Sequence, residues 1–230
     1  MNIFAMSDLH LSESGDKPMD VFGPRWKNHT EKMKKNWDEL LSAEDVMIVS
    51  GDVSWGLRLE EALPDLQWIH ERPGLKFITR GNHDLWWSSL SKLNGLYEDI
   101  IFLQNGCAVA GDTVICGTRG WNLMNDGPDW TAHDDKIYRR EQIRMKLALD
   151  AARASGASRT ILSLHYPPTD HNGSDTGFTE IIEQYDVACV LYGHLHGEDA
   201  KRHAFNGIKN HIPYRLVSSD YLGFMPVKIF

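Results

Sequence analysis

Short apolar runs rich in β-branched residues recur along the chain, at residues 2–7 (NIFAMS), 46–50 (VMIVS), 75–79 (LKFIT), 160–164 (TILSL) and 188–192 (ACVLY). This is the pattern of buried strands. Between them the apolar period becomes helical. Residues 29–41 place Met33, Trp37, Leu40 and Leu41 on one face, with Glu31 and Lys35 paired four apart on the exposed side. Residues 134–154 put Tyr138, Met145, Leu149 and Ala152 on one stripe, and Gly156 ends that helix. A second group of strands is expected at 100–103, 107–110 and 113–116, with Asn105-Gly106 and Gly111-Asp112 as hairpin turns, and residues 212–219 and 227–230 read as closing strands. With no internal repeat, low-complexity tract or linker, residues 1–230 are expected to form one α/β domain.

Polar residues of one chemical kind gather just beyond the C-terminal ends of these runs. They are Asp8-Leu9-His10, Gly51-Asp52, Gly81-Asn82-His83-Asp84, His165 and Gly193-His194-Leu195-His196. In sheets fed by βα crossovers, that edge is where ligand sites gather. Imidazole nitrogens with carboxylate and amide oxygens suit borderline cations such as Mn, Fe, Zn, Co and Ni, and the set contains no thiolate. Two such ions about 3.5–4 Å apart can share a hydroxide and clamp the oxygens of a phosphoryl group. Asp52 is the best candidate for a bridging carboxylate. A lone His or a lone Gly-Asp would more often be structural, but that reading is weak for the whole set.

The order Asp-x-His, Gly-Asp, Gly-Asn-His-Asp, lone His, Gly-His-x-His resembles the calcineurin-like metallophosphoesterase superfamily from Asp8 to His196. The resemblance implies a four-layer α/β/β/α sandwich, two facing mixed β-sheets flanked by helices. It implies one divalent metal held by Asp8, His10, Asp52 and His196, and a second held by Asp52, Asn82, His165 and His194. His83 corresponds to the histidine that contacts the phosphate and assists the leaving oxygen, a role suited to an imidazole titrating near neutral pH. Asp84 is expected to fix the loop or to orient His83. Many members carry an Asp three residues after the bridging Asp, paired with the catalytic histidine, whereas this chain has Trp55. The sequence therefore identifies no orienting partner for His83.

Charge and composition narrow the field. The net charge of −8 argues against broad nucleic-acid binding, which rests on Lys and Arg. The basic cluster Arg139, Arg140, Arg144, Lys146 is expected to be the solvated face of its helix. No apolar run is long enough to span a bilayer, and residues 1–4 lead directly into a strand without signal-peptide features, so a cytoplasmic protein is expected. Cys107, Cys116 and Cys189 read as small buried hydrophobes.

Specificity is expected from the long loops at 12–28 and 117–133. Arg80 is the best-placed phosphate contact, followed by Arg119 and Arg25. Trp55, Trp86, Trp87 and Trp121 follow metal motifs or a strand end. They form either an aromatic rim or packing beneath the loops, with packing favoured for at least half.

The expected function is hydrolysis of a small-molecule phosphomonoester or phosphodiester, such as a nucleotide, by a metal-bridging hydroxide with His83 assisting. The alternatives are a phosphoprotein phosphatase or nuclease of the same superfamily, or a metal-binding scaffold without turnover. The Val53-Ser54-Trp55-Gly56 segment disfavours the phosphoprotein phosphatases, which have Asp-Arg-Gly there.

Overall fold

The computed structural model describes residues 1–13, 15, 17–124 and 130–230. The portions of the two specificity loops at 14, 16 and 125–129 lie outside the described residues. In chain order the elements are β1 (Ile3–Met6), α1 (His29–Leu40), β2 (Val46–Ser50), α2 (Leu59–His70), β3 (Leu75–Thr79), α3 (Leu90–Leu93) and β4 (Ile100–Leu103). These are followed by β5 (Gly106–Ala110), β6 (Thr113–Thr118), α4 (Ala132–Ala154), β7 (Arg159–Leu164), α5 (Thr179–Ile182), β8 (Cys189–Tyr192), α6 (Gly197–His203), β9 (Gly207–Lys209), β10 (Ile212–Leu216) and β11 (Val227–Lys228).

Two mixed sheets result, ordered β11-β1-β2-β3-β4 and β5-β6-β7-β8-β10-β9. In each the central strands are parallel; β11 is antiparallel at one edge of the first sheet, and β5 and β9 are antiparallel at both edges of the second. Alternate residues of each strand face different layers. Ile3, Ala5, Val46, Ile48 and Phe77 meet Ile115, Ile161, Leu191 and Val217 between the sheets. Phe4, Met6, Met47 and Val49 turn outward to pack with Met33, Trp37, Leu66 and Ile69 of α1 and α2. Val114, Leu162 and Val190 do the same with Tyr138, Met145 and Leu149 of α4. The architecture is the expected four-layer α/β/β/α sandwich.

Several local expectations are corrected. Asn105-Gly106 is not a hairpin turn, because β4 and β5 belong to different sheets and the chain crosses between them there. Gly111-Asp112 does join an antiparallel pair, β5 and β6. Leu40 is 41% exposed, off the buried stripe of α1, and Lys35 pairs with Glu39 at 3.9 Å rather than with Glu31. Cys116 and Cys189 are buried, while Cys107 is half-buried. Arg139, Arg140 and Lys146 are exposed, while Arg144 is half-buried and reaches the fully buried Glu141, whose other oxygen accepts from Thr118. Among the described residues no helix is long and apolar enough to cross a membrane.

Candidate active site

The C-terminal ends of β1, β2, β3, β7 and β8 converge on one side of the seam between the sheets. Beneath them the seam is polar: the Ser163 hydroxyl meets Ser50 at 2.9 Å and Thr79 at 3.1 Å. The connections above turn sharply, and Asp8, His10, Asp52 and His194 all adopt left-handed backbone conformations, with φ of 58°, 45°, 53° and 73°. Asp and His tolerate that region better than most residues, but each such position costs about 1–3 kcal/mol and persists only where its surroundings enforce it. Here the loops brace one another, with Asp8 N–H donating to Gly51 O at 2.8 Å and His10 N–H to Asp52 O at 3.1 Å. Gly193 has to be glycine, because a Cβ would strike the Ser7 and Asp8 side chains.

The motif side chains are brought together in two adjoining groups. In the first, His196 Nε2 lies 3.3 Å from Asp8 Oδ1 and 3.5 Å from His10 Nε2, which is 3.9 Å from Asp52 Oδ2. In the second, His165 Nε2 lies 3.4 Å from the same Asp52 oxygen and 2.7 Å from Asn82 Oδ1, which is 3.0 Å from His194 Nδ1. Donor atoms of Asp8, His10 and His196 fall within 4.8 Å of one another, as do those of Asp8, Asp52 and His165. Asp52 Oδ1 also accepts from His83 N–H at 2.8 Å, which fixes the carboxylate's orientation.

The charges fit a cation. Burial opposes ionisation of Asp8, but His196, His165 and His10 override it and hold the carboxyl far below its usual range. Asp52 is likewise lowered to about 2, where burial is outweighed by His165. Burial pushes His10 down to about 4 and, with His165, takes His194 to about 3, so both offer neutral nitrogens. For His165 and His196 burial is overcome by the carboxylates, Asp52 for the first and Asp8 with Asp220 for the second, and they rise to about 9 and about 10. Protons held there occupy nitrogens from which a divalent ion would displace them. The buried His10 Nδ1 has no hydrogen-bond partner among the described residues. A thiolate-free set of carboxylate, amide and imidazole donors fits borderline divalent metals.

A surrounding shell orients these groups. His165 Nδ1 is 3.0 Å from Ser50 O, and His196 Nδ1 is 2.9 Å from Asp220 Oδ1, which turns both Nε2 atoms toward the carboxylates. Sequence reasoning missed Asp220. It follows the expected strand 212–219 by one residue, so the strand-end rule that found the other residues would have reached it. Asp84 is fully buried and accepts from the backbone N–H groups of Gly81, Asp52 and Val53 at 2.7, 3.0 and 2.9 Å, and from Trp86 Nε1 at 3.0 Å. Those bonds tie the β2 and β3 loops together, while burial and the nearby Asp52 raise its carboxyl to about 6. His83 is exposed, and its ring has no hydrogen-bond partner among the described residues. It leans on Trp55 with centroids 4.5 Å apart, and Trp55 stacks on His10 at 4.9 Å. The residue standing in the place of the family's Asp therefore confines His83 by ring packing.

A cavity of about 380 Å³ opens beside the two groups, and His83, Asp52, His194 and His196 face it. Arg25 lines it and reaches Asp220, with Nη1 3.3 Å from the carbonyl and 3.7 Å from Oδ2. Arg80 and Arg119 lie outside its lining: Arg80 Nε donates to Asp84 O at 3.2 Å, and Arg119 packs on Trp121 at 4.7 Å. Of the four tryptophans singled out, Trp55 lines the cavity, Trp86 is buried in the core, and Trp87 and Trp121 are half-buried packing residues. Trp26, which no motif marked, forms the other aromatic wall.

The calcineurin-like phosphoesterase family matches residues 1–198 of the chain. The Gene 66 protein of Mycobacterium phage D29 is 25% identical over 196 residues, covering 85% of this chain and 78% of the phage protein. The Gene 66 protein of Mycobacterium phage L5 is 30% identical over 83 residues, 36% of this chain and 40% of the other. The crystal structure of a protein of unknown function from Aquifex aeolicus superposes with a TM-score of 0.55 at 15% identity, over 99% of this chain and 95% of that one, and shares the fold.

Proposed function

We propose a dinuclear mechanism for this chain, which belongs to the calcineurin-like phosphoesterase family and is a metal-dependent hydrolase of phosphate esters. Asp8, His10, Asp52 and His196 would hold one divalent ion and Asp52, Asn82, His165 and His194 the other, with Mn, Fe, Zn, Co and Ni all compatible with the donors. The observation that carries this reading is the shared Asp52 oxygen, 3.9 Å from His10 Nε2 and 3.4 Å from His165 Nε2. When bound, such a pair supplies Lewis acidity and a water-derived nucleophile at neutral pH.

The protein's own groups do the rest. Asp52 is held by the His83 backbone N–H, and Asp84 keeps the loops carrying Asp52 and Asn82 in register. His83, free to hydrogen-bond outward at the cavity, binds the phosphate and delivers a proton to the leaving oxygen. Arg25 is the guanidinium that lines the cavity, and Arg80 and Arg119, outside the lining, would act at longer range. The substrate is a small-molecule phosphate ester, and residues 1–230 act as one domain.

The test is hydrolysis of a chromogenic phosphomonoester beside the matching phosphodiester, on metal-stripped protein reconstituted with Mn. Turnover should require the metal and be abolished in Asp52→Asn. Full activity of that variant without metal would sink the mechanism. A faster diester would direct the search to cyclic nucleotides and phosphodiester lipids, and a faster monoester to nucleotides and sugar phosphates.

A further inference from the structure

We propose that the cavity beside the candidate metal groups is an apolar leaving-group pocket, selecting phosphate esters whose alcohol carries an aromatic ring or alkyl chain. The inference rests on the proposed function, since it places the phosphate at the Asp52 end of the cavity. The opposite wall is built by the turns Met19–Phe22 and Pro24–Trp26, together with Trp55.

That wall offers few polar partners. The Trp55 indole N–H is taken by Met19 Sδ at 3.1 Å, so its ring is presented without its donor, and the Lys17 ammonium lies over it, 5.1 Å from the ring centroid. Trp26 is 5% exposed and wedged against His10, His196 and Phe224 at centroid distances of 5.8, 5.7 and 5.3 Å, which makes it a fixed surface. Arg25 Nη1 is turned to Asp220, and under the proposed function its remaining donors serve the phosphate rather than the leaving group. A sugar or peptide placed here would lose water from hydroxyl and amide groups without replacing those hydrogen bonds, which is unfavourable.

Phe22 supports the assignment independently. It lines the mouth of the cavity yet stays 65% exposed, a large apolar side chain that gains little from the fold and would be covered by an apolar ligand. The volume, about 380 Å³, is within the range of small-molecule pockets.

The experiment is calorimetric titration of the Mn-loaded protein with n-alkylphosphonates from methyl to octyl, which bind without being hydrolysed. Kd should fall by about two- to fourfold per methylene until the cavity is filled, the upper figure being full burial of each group. Phe22→Ala should flatten that slope, while Val21→Ala, one residue away and outside the lining, should leave it intact. A Kd constant within twofold across the series, no binding at any length, or tighter binding of a hexose phosphate than of octylphosphonate would each overturn the pocket. If the slope is present but neither chromogenic ester is hydrolysed, the pocket stands and the proposed function fails.

Discussion

Asp220→Asn separates the orientation of a ligand from its presence. Asp220 uses both carboxylate oxygens as acceptors, Oδ1 from His196 Nδ1 and Oδ2 from Gly197 N–H, each at 2.9 Å. Asparagine is nearly isosteric but has one acceptor and one donor. With its oxygen on Gly197, its NH₂ faces His196 Nδ1, which must then accept. The imidazole proton moves to Nε2, the nitrogen 3.3 Å from Asp8 and turned toward the candidate cation. With the amide reversed, two donors meet at Gly197 in a site where Asp220 is 2% exposed.

Loss of an orienting partner of this kind weakens metal binding by about 10–100-fold, or about 1.4–2.7 kcal/mol. Only the group containing His196 should suffer, since His165 is oriented by Ser50 instead. The assay is a chelator-buffered Mn titration with bound metal counted, alongside the melting temperature of the metal-free protein. One site should weaken by the stated factor while the second stays within about threefold. Two sites both binding within twofold of the unmutated protein would refute the reasoning.

Other expectations follow from the same geometry. His83→Ala should lower kcat by about 10²–10⁴-fold, the usual contribution of a general acid, with Mn affinity unchanged; parallel kinetics and metal counting check it, and lost metal would mean that His83 holds the site together. Removal of both metals should lower the melting temperature by about 11–22 °C if each ion is present at about 100 times its Kd, as scanning calorimetry would show. At the opposite end of β3, Lys76 is 1% exposed and held by Asp99 Oδ2 at 2.5 Å, so Asp99→Asn should destabilise by about 3–5 kcal/mol in urea without altering metal affinity. Burial would raise the Asp99 carboxyl, but hydrogen bonds from Lys76 and His70 outweigh it and lower it. Its contribution is therefore complete above the ordinary carboxylate range and lost as pH falls through the lowered value. The gap between variant and parent should be smaller at pH 3 than at pH 7, and an equal gap would contradict the ion-pair account.

The fold was legible where each strand is buried on both faces, because such runs stand out without any partner being known. Val46–Ser50 and Leu75–Thr79 match their expected limits for that reason. Helix α2 gave no comparable signal: Pro64 inside it removes a donor and mimics a break. Strand β9, three residues long, is too short to show a period. Asn105-Gly106 misled because that pair favours a tight turn whether the chain returns to the same sheet or passes to another. The candidate ligand side chains stand out in the sequence by their place after strands, whereas Trp26 reaches the cavity through two short turns whose direction depends on tertiary packing.

Asp8, His10, Asp52 and Asn82 follow strands of one sheet, while His165, His194 and His196 follow strands of the other, and Asn105-Gly106 lies between the two sets. During synthesis the first half can emerge and pair its strands while holding only an incomplete donor set. The donor set is thus complete only when both halves of the chain are present and the two sheets, with β10 and β11 beyond His196, have met.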